Sequence, residues 1–357
     1  MHIASHPEQD SRPAPHGLVP VWSSHRIWNG VTLNDRGQAF ASFPSCDGRG
    51  VQLAKLLADG RQQPYPDQAW NRLDDGHAPD GRFVNVNAVR FGPDGLLWVV
   101  DAGAPGIGEA AIPGGARLVV IDTAADRIVQ VHDLAAGVKP KSYIDDLRFN
   151  ADASKVYLTD AGAPALLVLD LRSGVVVRRL EDQPCTTDLR PMRADGRPLY
   201  TQDGSELRVH ADQIEVSPDG RWCYFQPSSG PTYRVAVADL ENLDLPEDQL
   251  AARVTLFWDG PTTGGTAIDA LGRLYYGDAE TRRILRIDAH GQASVLIEDE
   301  RLIWSDAMWI DADGWLWLPA TQQNRTPGFS GGQMSVEYPV WIYRYFIGVG
   351  PSPIDHA

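Results

Sequence analysis

The chain repeats one pattern six times along its 357 residues, and this repeat constrains the fold more than any other feature. Each copy has a polar entry, a short alternating β-type segment, a turn rich in Asp, Asn or Gly, and a second apolar segment. The copies are WNGVTLNDRGQAFASFP, NVNAVRFGPDGLLWVVDAG, YIDDLRFNADASKVYLTDAG, HADQIEVSPDGRWCYFQP, TGGTAIDALGRLYYGDAE and WSDAMWIDADGWLWLPAT. Apolar segments on either side of such a turn predict β-hairpins.

The spacing of the copies predicts an all-β fold, a six-bladed β-propeller with four-stranded antiparallel blades. Successive copies start 58, 58, 67, 52 and 42 residues apart, and a further strand pair follows most of them. Four-stranded units that cannot bury both faces alone have to stack around a common axis. The widest interval contains an insertion at 185–208. The last unit lacks an outer strand, so we expect Leu18–Ser24 to supply it and close the ring.

We expect one propeller over residues 18–346, flanked by tails at 1–17 and 347–357. The first residues lack the basic start and apolar run of a signal peptide, which predicts a cytoplasmic protein, or a periplasmic or secreted one if a leader has been removed. Cys46, Cys185 and Cys223 lie far apart and form no CxxC pair. We therefore expect free thiols in a reducing compartment rather than a zinc cluster.

The charge of the chain argues against several classes of partner. Lys and Arg number 32 against 47 Asp and Glu, so the formal net charge is −15. An acidic surface disfavours nucleic acid and anionic membranes, and the sequence contains no basic patch or RNA-binding signature. No apolar run approaches the length of a membrane span. We expect a monomer or small homo-oligomer that acts on a small-molecule substrate.

One polar position of each unit falls in register when the six first strands are aligned. Two residues before the shared apolar position stand Asn29, Asn87, Asp145, Asp212, Gly264 and Asp306. The innermost strand of each blade lines the channel of a propeller, so we expect these positions to form a ring at one mouth. Asp146 is one residue out of phase, and its side chain should face the blade or a neighbour.

The ring combines three carboxylates with two amides, a costly arrangement unless a cation or a proton offsets the charge. Oxygen ligands of this kind suit a divalent cation, with Ca²⁺ preferred and Mg²⁺, Mn²⁺ or Zn²⁺ as alternatives. The predicted metal ligands are Asn29, Asn87, Asp145, Asp212 and Asp306. The predicted catalytic residues are Asp145, Asp212, Asp306 and His210. The alternative interpretation is that these residues only cap strand entries through local hydrogen bonds.

Aromatic residues and loops complete the predicted mouth. Trp28, Tyr143 and Trp304 lie just before ring positions and are candidates for the pocket wall. The loops at 102–116 and 320–338 reach the same mouth and are candidates for ligand selection. The second loop contains a G-x-S-x-G pattern at 328–332, but a nucleophile elbow needs a strand, a sharp turn and a helix. Ser330 is therefore expected to be a loop residue.

Several of these phrases resemble a known family. The segments IWNGVTLNDRGQAFASFP, VNVNAVRFGPDGLLWVVDAG and SYIDDLRFNADASKVYLTDAG resemble the major royal jelly protein and Yellow family, and the likeness extends over about residues 20–346. The resemblance implies a six-bladed propeller. It also implies either a dopachrome-converting enzyme, as some insect members are, or a secreted binding or nutritional protein. Bacterial relatives are described as dopachrome tautomerase-related or gluconolactonase-like.

A more distant resemblance is to the SMP-30 and gluconolactonase propellers, carried by DQIEVSPDGRWCYF. Those enzymes hold one divalent ion in the central channel, and the resemblance transfers its ligand positions to Asn29, Asp145, Asp212 and Gly264. Two of these depart from that family, because Asn29 stands for a glutamate and Gly264 for an aspartate. Asp306 and Asn87 could supply the lost charge across the ring.

Three functions are consistent with these observations. The leading hypothesis is a divalent-metal-dependent hydrolase of a lactone or similar cyclic ester, with the metal in the central channel. The second is a dopachrome-type tautomerase or isomerase in which the same carboxylates move a proton. The third is a propeller that binds a small molecule without turnover. Fold alone does not choose between them, because propellers host many functions.

Overall fold

A computed structural model describes residues 17–72 and 81–354 and confirms the predicted six-bladed β-propeller. Each blade is one four-stranded antiparallel sheet, and consecutive strands of a blade are neighbours in that sheet. Residues 1–16 of the expected N-terminal tail and 355–357 of the C-terminal tail lie outside the described residues. The segment 347–354 packs on the ring, where Ile354 is buried and the Ala270 amide donates to the Gly350 carbonyl at 3.0 Å.

The strands follow the chain in simple order. The first strand, β1, spans Val19–Ser24. Blade 1 contains β2 (Val31–Leu33), β3 (Ala39–Ser42), β4 (Leu53–Leu56) and β5 (Gln62–Pro64). Blade 2 contains β6 (Val86–Phe91), β7 (Leu97–Ala102), β8 (Ala116–Asp122) and β9 (Arg127–Asp133). Blade 3 contains β10 (Ile144–Phe149), β11 (Lys155–Asp160), β12 (Ala165–Asp170) and β13 (Val176–Arg179).

The second half of the chain adds the insertion and three more blades. The insertion forms a small hairpin of β14 (Arg193–Ala194) and β15 (Arg197–Pro198). Blade 4 contains β16 (Ala211–Val216), β17 (Trp222–Pro227), β18 (Thr232–Ala236) and β19 (Thr255–Trp258). Blade 5 contains β20 (Thr266–Ile268), β21 (Leu274–Asp278), β22 (Arg283–Ile287) and β23 (Ala293–Glu298). Blade 6 contains β24 (Trp309–Ile310), β25 (Trp315–Ala320), β26 (Val340–Phe346) and β1.

Helices are few and short. The longest described helices are α1 (Val237–Leu240) and α2 (Glu247–Arg253), both in the connection between β18 and β19. Three 3₁₀ turns lie at Ser45–Asp47, Ala135–Gly137 and Gln323–Arg325. Within the described part of the chain, no helix has the length and apolar character needed to cross a membrane.

The first hairpin of each blade turns where the sequence predicts, and Asx side chains stabilise the turns. In blade 5 the Asp269 carboxylate accepts from the backbone amides of Leu271 and Arg273 at 2.9 and 3.0 Å. In blade 1 the side-chain oxygen of Asn34 likewise accepts a hydrogen bond from the Arg36 backbone amide. Such side-chain acceptors replace missing backbone partners in a tight turn. The repeat can be recognised in the sequence because each turn needs Asp, Asn or Gly at fixed positions.

The ring closes through the N-terminal strand, as predicted. Strand β1 pairs antiparallel with β26, with Val19 opposite Arg344 and Ser24 opposite Val340. Trp22 of β1 stacks on Trp317 of β25, with ring centroids 5.2 Å apart. Blade 6 therefore joins both ends of the propeller, and unfolding β1 would leave the edge of β26 unpaired.

Three residues beyond ring positions Asp145 and Asp212, a buried ion pair joins the inner strands of the neighbouring blades 3 and 4. Arg148 of β10 is fully buried and contacts Glu215 of β16 through two hydrogen bonds of 2.9 and 2.7 Å. Arg148 also donates to Asp146 at 2.8 Å, and Thr266 of β20 donates to Glu215 at 2.9 Å. Asp146 thus contacts a residue of its own strand, and the hydrogen bonds of Arg148, Glu215 and Thr266 tie blades 3, 4 and 5 together.

Replacing Trp22 by alanine tests the closure. We expect Trp22→Ala to lower the free energy of unfolding by about 2 kcal/mol, because a large, partly buried aromatic contact is lost at the junction of the ring. Chemical denaturation measures the change. Val129→Ala, on the exposed outer strand β9, is the control and should cost less than about 0.5 kcal/mol. Equal stabilities of the two variants would contradict a closing role for β1.

Candidate functional site

The structure brings all six ring positions into one cavity at the mouth of the channel. The cavity has an empty volume of about 300 Å³, including the part open to solvent. It is lined by Asn29, Asn87, Ile107, Asp145, Val209, Asp212, Ser228, Gly264, Trp304, Asp306, Gln323 and Phe329. None of these lining residues is Lys, Arg or His, so the three carboxylates have no cationic side chain among them. The six positions aligned from the repeats therefore meet in one cavity, and their catalytic and metal-binding roles stay predictions.

Local irregularities of the inner strands direct three ring side chains. The register of the first hairpin shifts between Val86 and Ala88 in blade 2, and at the equivalent places in blades 3 and 4. Asn87, Asp145 and Asp212 lie at these three shifts. A β-bulge leaves a residue outside the ladder and redirects its side chain, and bulges are frequent beside functional sites.

Asp145 and Asp212 form a close pair whose carboxyl groups lie within hydrogen-bonding reach of each other. Burial, and then the neighbouring charges of Asp212 and Asp146, raise the pKa of Asp145 well above its ordinary value. Burial also raises the pKa of Asp212 to about 7, although hydrogen bonds to Asp145 and Ser228 oppose the shift. Two buried carboxyls this close disfavour each other's ionisation, so the pair favours binding of a proton or a cation.

The two amides of the ring are held by their neighbours. Asn87 donates from Nδ2 to Oδ1 of Asp145 at 2.6 Å, and its Oδ1 accepts from the Tyr143 hydroxyl at 3.1 Å. Asn29 donates from Nδ2 to the backbone carbonyl of Asn87 at 3.2 Å, and that carbonyl also accepts from Ser42 at 2.8 Å. A hydrogen-bonded row therefore runs along blades 1, 2 and 3.

Across the channel, Asp306 is held by Trp304 and by the backbone. The Trp304 indole donates to Asp306 Oδ2 at 2.9 Å, and the Ala307 amide donates to Oδ1 at 2.8 Å. Burial and then the charge of Asp212 raise the pKa of Asp306 well above its ordinary value, against these two donors. Asp306 therefore tends to hold a proton unless a cation is near.

Trp304 explains why the fifth ring position is glycine. A Cβ at Gly264 would lie 2.5 Å from Trp304 Nε1 and 3.0 Å from Asp306 Oδ2. The indole thus occupies the space that an aspartate at Gly264 would need. Trp304 has φ of +53°, a left-handed conformation that is costly for a bulky residue. Thr321 stabilises it by donating from its amide and hydroxyl to the Trp304 carbonyl, each at 3.1 Å.

The apolar rim comes from loops that the repeat does not predict. Ile107 lies in the loop at 102–116 and Phe329 in the loop at 320–338, the two loops expected to face the ligand. Phe329 packs edge-on to Trp304, with centroids 5.5 Å apart. Val209 comes from the end of the insertion, where its amide donates to Asp188 at 3.1 Å. No local pattern marks Ile107, Val209 or Phe329, because loop sequences do not encode which side chain turns inward.

The remaining sequence candidates lie elsewhere. His210 is absent from the cavity lining that the structure describes, and its Nδ1 accepts from the Asp188 amide at 3.1 Å. Burial lowers the pKa of His210, although Asp188 and Asp160 oppose this. Ser330 donates to the backbone carbonyl of Thr326 at 2.8 Å in a loop, as expected. Trp28, a candidate for the wall, is fully buried and packs near Phe43 in blade 1.

The donor set fits a hard cation through two carboxylates rather than a larger cluster. Among residues 17–72 and 81–354, no group of three or more His, Cys, Asp or Glu side chains has an arrangement suited to a metal. Asp145 and Asp212 are close together, and burial is the main cause of the raised pKa of each carboxyl. Asn29 lines the same cavity and donates to the backbone carbonyl of Asn87. Asp306 belongs to the opposite wall with Trp304.

Comparison with known families decides the family of this chain. The family model described as major royal jelly protein matches residues 87–340, more than half of the sequence. The chain belongs to the major royal jelly protein family. The resemblance seen in the repeat phrases is thereby confirmed. A search of curated proteins finds no significant match.

Solved structures similar to this member of the major royal jelly protein family share its fold at low identity. The luciferin-regenerating enzyme has a TM-score of 0.58 at 10% identity, covering 94% of this chain and 97% of its own. Regucalcin of Agrobacterium tumefaciens, described as a calcium-binding protein, has a TM-score of 0.56 at 14% identity, covering 96% and 97%. A gluconolactonase of Xanthomonas campestris has a TM-score of 0.54 at 13% identity, covering 91% and 88%.

The raised pKa of Asp212 predicts a pH-dependent stability in the absence of divalent cations. The folded protein keeps a proton that the unfolded chain releases, so this contribution is complete below about pH 4 and is lost as the pH rises through about 7. With chelator present, we expect the unfolding temperature of the wild type to fall over this window relative to Asp212→Asn. Thermal unfolding against pH measures it. Asp313→Asn, in an exposed turn, is the control. Parallel curves for wild type and Asp212→Asn would contradict the shift.

The contact between Gly264 and Trp304 predicts a second stability change. Gly264→Ala should lower the free energy of unfolding by about 1–3 kcal/mol, because the new methyl group displaces the indole from a packed position. Gly328→Ala is a matched control, since a Cβ at Gly328 meets no atom within 4 Å. Denaturant midpoints compare the two variants. Equal decreases in the free energy of unfolding would show that the Trp304 indole can move aside without destabilising the protein.

Proposed function

We propose that this member of the major royal jelly protein family is a divalent-cation-dependent hydrolase that opens a lactone or similar cyclic ester at the channel mouth. The observation that carries the proposal is the convergence of all six ring positions on one cavity with a close Asp145–Asp212 pair. The structural likeness to a gluconolactonase and to a calcium-binding regucalcin supports it. Asp145 and Asp212 would hold the cation together with Asn29, and Ca²⁺ is the first candidate.

The bound cation would supply Lewis acidity to the ester carbonyl and to a water molecule. Asp212 lines the cavity close to Asp145 and would take a proton from the attacking water through the oxygen that does not bind the cation. Asp306 lies in the opposite blade and can return a proton to the leaving ring oxygen. Ile107, Val209 and Phe329 exclude water from the apolar side of the substrate.

A second candidate is a tautomerase or isomerase of a cyclic substrate. The Asp145–Asp212 pair favours it, because burial raises the pKa of both carboxyls and a close pair can share one proton. Such a pair can donate a proton to one atom and remove another from a neighbouring carbon without a cation. The same residues would act in both reactions, and dependence on a divalent cation distinguishes them.

A lactone panel with purified protein tests the proposal. We expect hydrolysis that chelator abolishes and added Ca²⁺ or Mn²⁺ restores, and a decrease in kcat/KM of about 100-fold or more in Asp145→Asn. Asp313→Asn is the control for a carboxylate lost far from the cavity. Hydrolysis would be followed as proton release at constant pH.

Other outcomes would redirect the assignment. Chelator-resistant decay of dopachrome that Asp145→Asn abolishes would favour the tautomerase and overturn the hydrolase. Stoichiometric ligand binding with no turnover of either substrate class would mean a binding propeller. Equal rates in Asp145→Asn and wild type would remove the ring from the chemistry altogether.

A further inference from the structure

A chain of buried hydrogen bonds links the channel mouth to two fixed backbone groups. It begins at Asn85, which precedes the ring position of blade 2, and passes through Tyr143 to Asn87. All three side chains are buried, so each hydrogen bond is made without competition from solvent. This series of hydrogen bonds ends at Asp145, one member of the carboxyl pair.

Backbone groups determine the orientation of Asn85. Its Oδ1 accepts from the Ser45 backbone amide at 3.2 Å, and its Nδ2 donates to the Pro105 carbonyl at 2.9 Å. A backbone N–H can only donate and a carbonyl can only accept, so the Asn85 amide cannot be reversed without losing both bonds. The Nδ2 group must also donate to the Tyr143 hydroxyl, which lies 3.2 Å away.

This fixes the direction of every later bond. The Tyr143 oxygen accepts a hydrogen bond from Asn85 Nδ2. The Tyr143 hydroxyl therefore donates its own hydrogen to Asn87 Oδ1 at 3.1 Å. With its oxygen engaged by Tyr143, the Asn87 amide presents Nδ2 to Asp145 Oδ1 at 2.6 Å. A reversed Asn87 would place an amide oxygen against a carboxylate oxygen, which is repulsive.

We propose that Tyr143 is a positioning residue that holds Asn87 as a hydrogen-bond donor to Asp145. Asn87 then stabilises one oxygen of Asp145 and is not an oxygen ligand of the cation. This replaces the ligand role that its ring position predicts. The second Asp145 oxygen, Asp212 and Asn29 remain for the cation. The cation part of the inference rests on the proposed function, whereas the hydrogen-bond part does not.

The first test observes the Asn87 amide directly. With ¹⁵N-asparagine labelling, the side-chain amide signal missing in Asn87→Ala identifies Asn87. We expect its protons to exchange with water at least tenfold faster in Tyr143→Phe than in wild type, because the phenyl ring keeps the packing but loses the anchor. Tyr157→Phe is the matched control: Tyr157 is a buried blade 3 tyrosine that donates to Glu241 outside the cavity. Unchanged exchange in Tyr143→Phe would overturn the proposal.

The second test measures Mn²⁺ affinity by calorimetry. Loss of a group that orients a metal ligand typically weakens binding about 10- to 100-fold, so we expect similar losses in Tyr143→Phe and Asn87→Ala and none in Tyr157→Phe. A loss in Asn87→Ala with wild-type affinity in Tyr143→Phe would mean that Asn87 binds the cation through its own oxygen, overturning the proposal. If wild type binds neither Mn²⁺ nor Ca²⁺, the hydrolase fails, and amide exchange alone decides the role of Tyr143.

Discussion

The closure of six twisted sheets into a ring is the constraint on which the rest of the structure depends. Each blade buries its faces only against its two neighbours, so the inner strands have to meet around one axis. Pairing of β1 with β26 completes the last blade, and the stack of Trp22 on Trp317 fastens the junction. The buried Arg148–Glu215 pair joins the inner strands of blades 3 and 4. The site is a consequence of this convergence.

Convergence concentrates negative charge in a partly dry cavity. Asp145, Asp212 and Asp306 face one another, and neutral donors rather than cations hold two of them: Asn87 for Asp145 and Trp304 for Asp306. Neutral donors orient a carboxylate but do not cancel its charge, and burial raises the pKa values of Asp145 and Asp306. A buried carboxyl cluster of this kind favours binding of a proton or a cation. Both proposed reactions rest on that property.

Much of the fold and part of the site can be predicted from the sequence, because they depend on residues that are close together along the chain. Hairpin turns depend on residues a few positions apart, as Asp269 and Leu271 show, and ring positions repeat in step with them. The roles within the ring are not local. Gly264 is glycine because Trp304, forty residues later, fills its space. His210 lies two residues before Asp212, yet its Nδ1 accepts a hydrogen bond from the Asp188 backbone amide in the insertion.

The sequence by itself determined the number of blades, the strand that closes the ring and the six positions that meet at the mouth, because strand alternation and turn chemistry are properties of short segments. Only the tertiary structure decided which of those positions donate and which accept. Asn85, Asn87 and Tyr143 come from two blades, and their hydrogen bonds are directed by the backbone of Ser45 and Pro105. Contacts between distant segments exist only once the blades have packed, so no pattern along the chain records them.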